Sequence, residues 1–157
     1  MEALHPRVRL LWSAGAAISA AVLAAIAGAF TWVDPLSLGL PPVLVGGVVF
    51  GAALALGVGY AVARYRAWRF EVREDTLYLE RGVFTRVRTV VPYVRVQHVD
   101  SQRGPLERVL GLSTVVVYTA GSRGADVAIP GLAAARASDL QERLRALAIE
   151  SEPTDAV

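Results

Sequence analysis

Cysteine and lysine are absent from the 157 residues, and histidine occurs only twice. With no thiols and two imidazoles, a metal site would have to rest on several carboxylates, and these are not clustered along the chain. The lack of lysine makes all sixteen basic residues arginines. Codon or lineage bias is enough to account for that choice, so the information lies in where the arginines stand.

Charge is missing over two long stretches, from Arg9 to Asp34 and from Asp34 to Arg64, in a chain that is 54% apolar. A bilayer core is about 30 Å thick and a helix rises about 1.5 Å per residue, so roughly 20 apolar residues span it. The pattern predicts two transmembrane helices, over about residues 10–33 and 41–63. The first could be read as a signal peptide, because Arg7 and Arg9 precede it and Ala25-Ile26-Ala27 resembles a cleavage site. Its apolar run is about twice a usual signal core, which favours a retained helix.

Arginine before the first span and after the second, with only Asp34 between, predicts a multi-pass cell-membrane protein with both termini cytoplasmic. Trp12 and Trp32, and then Tyr60, Tyr65 and Trp68, fall where interfacial anchors belong. The connection "DPLSLGLPP" has the Pro and Gly that end one helix and start another. Small residues at four-residue spacing, such as Gly47 and Gly51, allow either dimerisation or packing of the hairpin on itself, and the second is preferred. Neither span carries a charge to line an ion or proton path.

From Trp68 onward apolar and charged residues alternate with the period of half-buried strands. "WRFEVRE" puts Trp68, Phe70 and Val72 on one face. "TLYLERG" turns Leu77 and Leu79 inward. "VFTRVRTVVP" sets Val83, Thr85, Val87, Thr89 and Val91 against Phe84, Arg86, Arg88 and Val90. "YVRVQHV" is expected as the next strand, with Val94, Val96 and His98 opposite Arg95, Gln97 and Val99. "GPLERVLGL" is expected as one helical turn closed by Gly111, and "STVVVYTAG" as a β-branched strand. A turn at "GSRGAD" leads to a short strand "VAIPG". Leu140, Leu144 and Leu147 then mark a final amphipathic helix. The expected division is a segment with the hairpin over 1–66, a domain over 67–149, and a frayed tail over 150–157.

Taken in order, the hairpin, "VPYVRVQHVDSQRGPLERVLGLSTVVVYTAG", "IPGL" and the final helix resemble the bacterial and archaeal pleckstrin-homology-like (PH-like) membrane protein family, the YdbS-like group. The "HPR" at His5 to Arg7 belongs to the same resemblance. It implies a membrane α-helical hairpin followed by a mainly β PH-like barrel, partly open, of two crossed antiparallel sheets with a C-terminal capping helix. It also implies a partner, a larger membrane protein carrying several copies of the same domain.

His98, Asp100 and Ser101 offer the residue types of a nucleophilic triad, but a triad is a matter of geometry. In a strand His98 and Asp100 share a face and Ser101 points away, and no G-x-S-x-G elbow lies nearby. The expectation is therefore no catalytic residue, cofactor or metal ligand. His98 is read as a strand residue with a satisfied ring nitrogen, and Asp100 and Ser101 as cap or turn residues.

Residues 64–110 hold ten arginines against six acids, while residues 111–157 hold four against six. Arg64, Arg66, Arg69, Arg86 and Arg88 are candidates for facing anionic lipid, the first three being equally what the positive-inside rule requires. Arg95, Gln97, Arg103 and Arg108 are candidate interaction or motif residues, with a structural role favoured for Arg108. A net charge of +2 and the lack of a basic helix argue against nucleic acid. The reading is a non-enzymatic membrane protein displaying a PH-like domain as a protein-interaction or scaffold module. Anionic-lipid sensing is the alternative, and a self-associating homo-oligomer the plainest third.

Overall fold

In hydrocarbon, backbone polar groups must be paired within the chain, so long uncharged segments become helices. In a computed structural model, which describes residues 1–33, 39–121 and 126–151, these helices are α1 (Val8–Val33) and α2 (Pro42–Ala67). Each has 26 residues, about 39 Å at 1.5 Å per residue, long enough to cross a bilayer. The second runs four residues past its expected end, so Arg64 and Arg66 form its last turn. Within the hairpin, small residues permit close approach: a Cβ on Gly57 would collide with Ala16, and one on Gly46 would lie 3.2 Å from the Ala24 carbonyl. Gly47 and Gly51 have nothing within 4 Å of that position, so the hairpin packs on itself through other glycines. The connection at Asp34 lies outside the described residues, as do the centre of "GSRGAD" and most of the expected tail.

The chain divides into a helical unit, Arg9–Ala63, and a second unit that joins Met1–Val8 to the chain from Arg64 onward. The latter contains a four-stranded antiparallel sheet of β1 (Glu2–Ala3), β2 (Arg69–Val72), β3 (Thr76–Arg81) and β4 (Val87–Pro92), in that order. A three-stranded antiparallel sheet follows, β5 (Val96–Gln102), β6 (Leu112–Thr119) and β7 (Val127–Ala133), with the short helix α3 (Pro105–Leu110) between its first two strands. The terminal helix α4 (Ala134–Glu150) packs on β5, β6 and β7. The PH-like architecture is therefore present, but the two sheets remain separate and are not closed into a barrel.

Alternation explains the core. Phe70, Leu77, Leu79, Leu112, Val115, Val117, Ile129, Leu140 and Leu144 are all fully buried; each such side chain contributes about 1.5–3 kcal/mol when removed from water. Leu4 and Val8 join them, so the N-terminal residues belong to this unit and not only to a membrane segment. The "HPR" and "IPG" motifs thereby acquire one cause. The His5 amide donates to the Gly131 carbonyl at 2.9 Å, and Gly131 (φ 64°) lies so close to Val8 that any Cβ would overlap it. A bidentate pair between Arg136 and Glu2, with N···O distances of 2.6 and 3.1 Å, ties α4 to β1.

Several local expectations are corrected. The strand drawn from Val83 begins only at Val87: Gly82 (φ 106°) bends the chain so tightly that a Cβ would strike the Thr85 carbonyl, and residues 83–86 form a turn. Residues 93–95 are a 3₁₀ turn, and a bulge between Val96 and His98 reverses the alternation. Val99 is consequently buried and His98 exposed. Asp100 and Ser101 continue β5 instead of capping or turning. "STVVVYTAG" is the central strand of its sheet, and "VAIPG" is part of a seven-residue strand.

Candidate interaction surfaces

The triad residue types do not converge. Ser101 Oγ lies 2.8 Å from Ser113 Oγ, and Ser113 donates in turn to the Gln102 carbonyl at 3.0 Å. On the opposite face His98 stacks on Tyr118, with ring centroids 4.1 Å apart. Its Nε2 is 4.0 Å from Asp100 Oδ2, beyond hydrogen-bond distance. Among the described residues no three His, Cys, Asp or Glu side chains are grouped to hold a metal.

The candidate lipid-facing arginines divide by role. Arg69 donates to the carbonyls of Trp68 (2.7 Å) and Tyr65 (3.4 Å), satisfying acceptors at the end of α2 where a cation also suits the helix dipole. Arg64 and Arg66 occupy the turn before it. Arg88 lies 3.7 Å from Glu80, its cross-strand partner. Arg86 is exposed in the β3–β4 turn. Beside it Phe84 is 91% exposed.

Among the motif candidates, Arg95 and Gln97 are exposed at the start of β5, and Arg103 and Arg108 are exposed on either side of the first turn of α3. Arg108 does not pair with Glu107. That carboxylate accepts from the Gly104 amide and from Thr114 Oγ1, both at 2.7 Å. It thus holds both the helix start and β6, a role signalled in the sequence by Pro105 at the first helical position and Glu two residues later. Gly111 (φ 68°) closes the helix as expected.

Gln97 and His98 line a cleft of about 240 Å³ with Val96, Val99, Arg145, Ala148 and Ile149, between β5 and the end of α4. β5 is an edge strand, and Gln141 of α4 donates to the Val99 carbonyl at 2.7 Å. At the end of the four-stranded sheet, Tyr93 is buried with its hydroxyl 2.9 Å from both the Arg73 and Thr76 carbonyls. Burial pushes its phenol up from the ordinary range. The exposed Glu71 carboxyl is held below its ordinary value, chiefly by its hydrogen bond from Arg73.

Two apolar helices of spanning length joined to paired antiparallel sheets and a terminal helix define a membrane protein with a PH-like domain. The chain belongs to the bacterial PH domain family, whose model matches residues 10–148. It is 37% identical over 105 residues to the UPF0699 transmembrane protein YdbS of Bacillus subtilis (strain 168). The match covers 64% of this chain and 64% of that relative, less than two thirds of its length. No solved structure matches the chain.

Proposed function

We propose that the chain crosses the cell membrane twice, keeps both ends in the cytoplasm, and uses its PH-like unit without catalysis as an interaction and scaffold module for another membrane protein. The observation that carries the topology is the pairing of β1 with β2, Glu2 opposite Phe70 and Ala3 opposite Arg69. Residues on either side of the hairpin thus build one sheet, which requires an even number of crossings. Arg7 and Arg9 before α1, with Arg64 and Arg66 at the end of α2, favour the cytoplasmic side for that sheet. The relative's name, a transmembrane protein, is consistent with this reading.

The β5–α4 cleft supports the interaction role. It joins an edge strand to an exposed amide, a stacked imidazole and the exposed Ile149, a mixture suited to an extended segment added beside β5. The partner class implied by the family is a larger membrane protein carrying several PH-like domains. Purification of the full-length protein from native membranes in mild detergent should recover such a partner in stoichiometric amount, and Gln97→Arg with Ile149→Glu should release it. Recovery of the protein with lipid alone would remove the partner reading.

A further inference from the structure

We infer that the β3–β4 turn and helix α3 form a wedge that enters the lipid interface, with Phe84 and Val109 as its apolar tips and arginines meeting anionic headgroups around them. The inference rests on the two-span topology proposed above. It adds a contact made by the PH-like unit itself, on residues outside the β5–α4 cleft.

The register of the four-stranded sheet places the turn. Arg69, two residues after the end of α2, pairs with Glu80, and the next rung joins Arg81 to Val87. The turn over residues 82–86 therefore lies at the end of the sheet at which the chain arrives from α2, with Phe84 at its middle. β1 runs toward the same end, because its Glu2 pairs with Phe70 and its Ala3 with Arg69. Five residues later the chain begins α1.

Helix α3 is fixed near that exit by a separate set of contacts. Arg7, which directly precedes α1, donates from Nη1 to the Leu110 carbonyl at 3.3 Å. The amide of Ala134, the first residue of α4, donates to the Gly111 carbonyl at 3.2 Å. Leu106 is 51% and Val109 84% exposed on α3. Large apolar side chains are exposed there in both segments, where the chain passes to its bilayer-length helices.

Charge selects lipid over water or an apolar protein face. Arg81 and Arg86 bound the turn that carries Phe84 and Arg88 follows it in β4, with Glu80 engaged by Arg88; Arg103 and Arg108 precede and follow Leu106 along the chain, with Glu107 engaged by Gly104 and Thr114. Aromatic or aliphatic tips ringed by cations match the acyl boundary below an anionic headgroup layer. The opposite end of the same sheet carries Glu74 and Asp75 in its β2–β3 turn and would be repelled by that layer.

The absence of native cysteine makes the test direct. Full-length protein with Phe84→Cys or Val109→Cys would carry an environment-sensitive fluorophore and be reconstituted in phosphatidylcholine vesicles containing a minority of phosphatidylglycerol. Both labels should be quenched by lipids brominated on their acyl chains and should be several-fold less accessible to iodide than a label at Glu74→Cys. Iodide access equal to that at Glu74 would overturn the inference, and so would protection from iodide without quenching by brominated lipid, which would mean a protein or a second copy covers the tips. A label at Leu23→Cys, inside α1, separates the two readings. If it is quenched by lipid while position 84 is not, the wedge fails and the spans stand; if it is not quenched, the spans themselves fail.

Discussion

At the end of the PH-like unit where the chain passes to α1 and α2, the segments that carry the exposed Phe84, Leu106 and Val109 also hold or adjoin five arginines. At the other end Glu74, Asp75 and Glu150 line a hollow of about 650 Å³ with Thr76, Pro92, Val94, Leu147 and Ser151. One end is basic with apolar tips, and the other carries three carboxylates around an apolar hollow. Helix α4 connects them, starting beside Gly111 and ending beside Asp75. A small domain can thus be given a polarity by the placement of its turns, while the strands between supply a common apolar core.

The largest effect should come from cutting that connection. Leu144→Ala, at a side chain with no exposure, should cost about 2–5 kcal/mol, read as a lower denaturation midpoint of the detergent-solubilised protein. Next, Gly131→Ala should push Val8 away and impose a left-handed conformation on a residue with a Cβ, costing roughly 1–3 kcal/mol. It should also expose the N-terminal segment, so trypsin cleavage at Arg7 should accelerate while the α4 contacts persist.

Tyr93→Phe tests the acidic end, where it removes a hydroxyl shared by two carbonyls at a cost of about 1 kcal/mol. Because burial raises the folded-state pKa of Tyr93, its neutral form is favoured by folding. That stabilisation is complete below the unfolded value of about 10 and is lost as pH rises through the folded one. The wild type should therefore lose stability in strong alkali more steeply than Tyr93→Phe does. Arg86→Glu tests the basic end, and should weaken association of the unit with anionic vesicles by about 1 kcal/mol per charge removed, seen as greater iodide access at position 84.

The smallest effect belongs to the exposed Glu71–Arg73 pair. The Glu71 carboxyl is held low by Arg73, so its contribution is present above the unfolded carboxylate value of about 4.3 and is lost as pH falls through the folded one. Glu71→Gln should flatten a slight acid-side slope and leave the neutral-pH midpoint almost unchanged.

Much of this was legible from pattern. Leu77, Leu79, Leu140 and Leu144 face inward as alternation and helical spacing require, and the family resemblance foresaw the two-sheet architecture and the terminal helix. Three features escaped for separate reasons. The bulge at Val96 to His98 inserts one residue and thereby exchanges the faces of His98 and Val99, an event without a signature in hydrophobic period. The tight bend at Gly82 delayed the expected strand to Val87, and with it Phe84 moved from an alternating face into a turn. The role of Met1–Val8 depended on a pairing across nearly seventy residues, which no local window can register.

Two uncharged runs long enough to cross a bilayer, an excess of arginine beside them, and alternation that makes strands were determined by the sequence alone, because span length, charge placement and period two are local properties. The separation of the sheets, the closure of the N-terminal segment on Gly131, and the gathering of Phe84 and α3 at the end where the chain leaves for α1 and α2 were decided only by tertiary structure. Each of these needs two distant segments brought together, and their contacts become favourable only after the core has set the register between them.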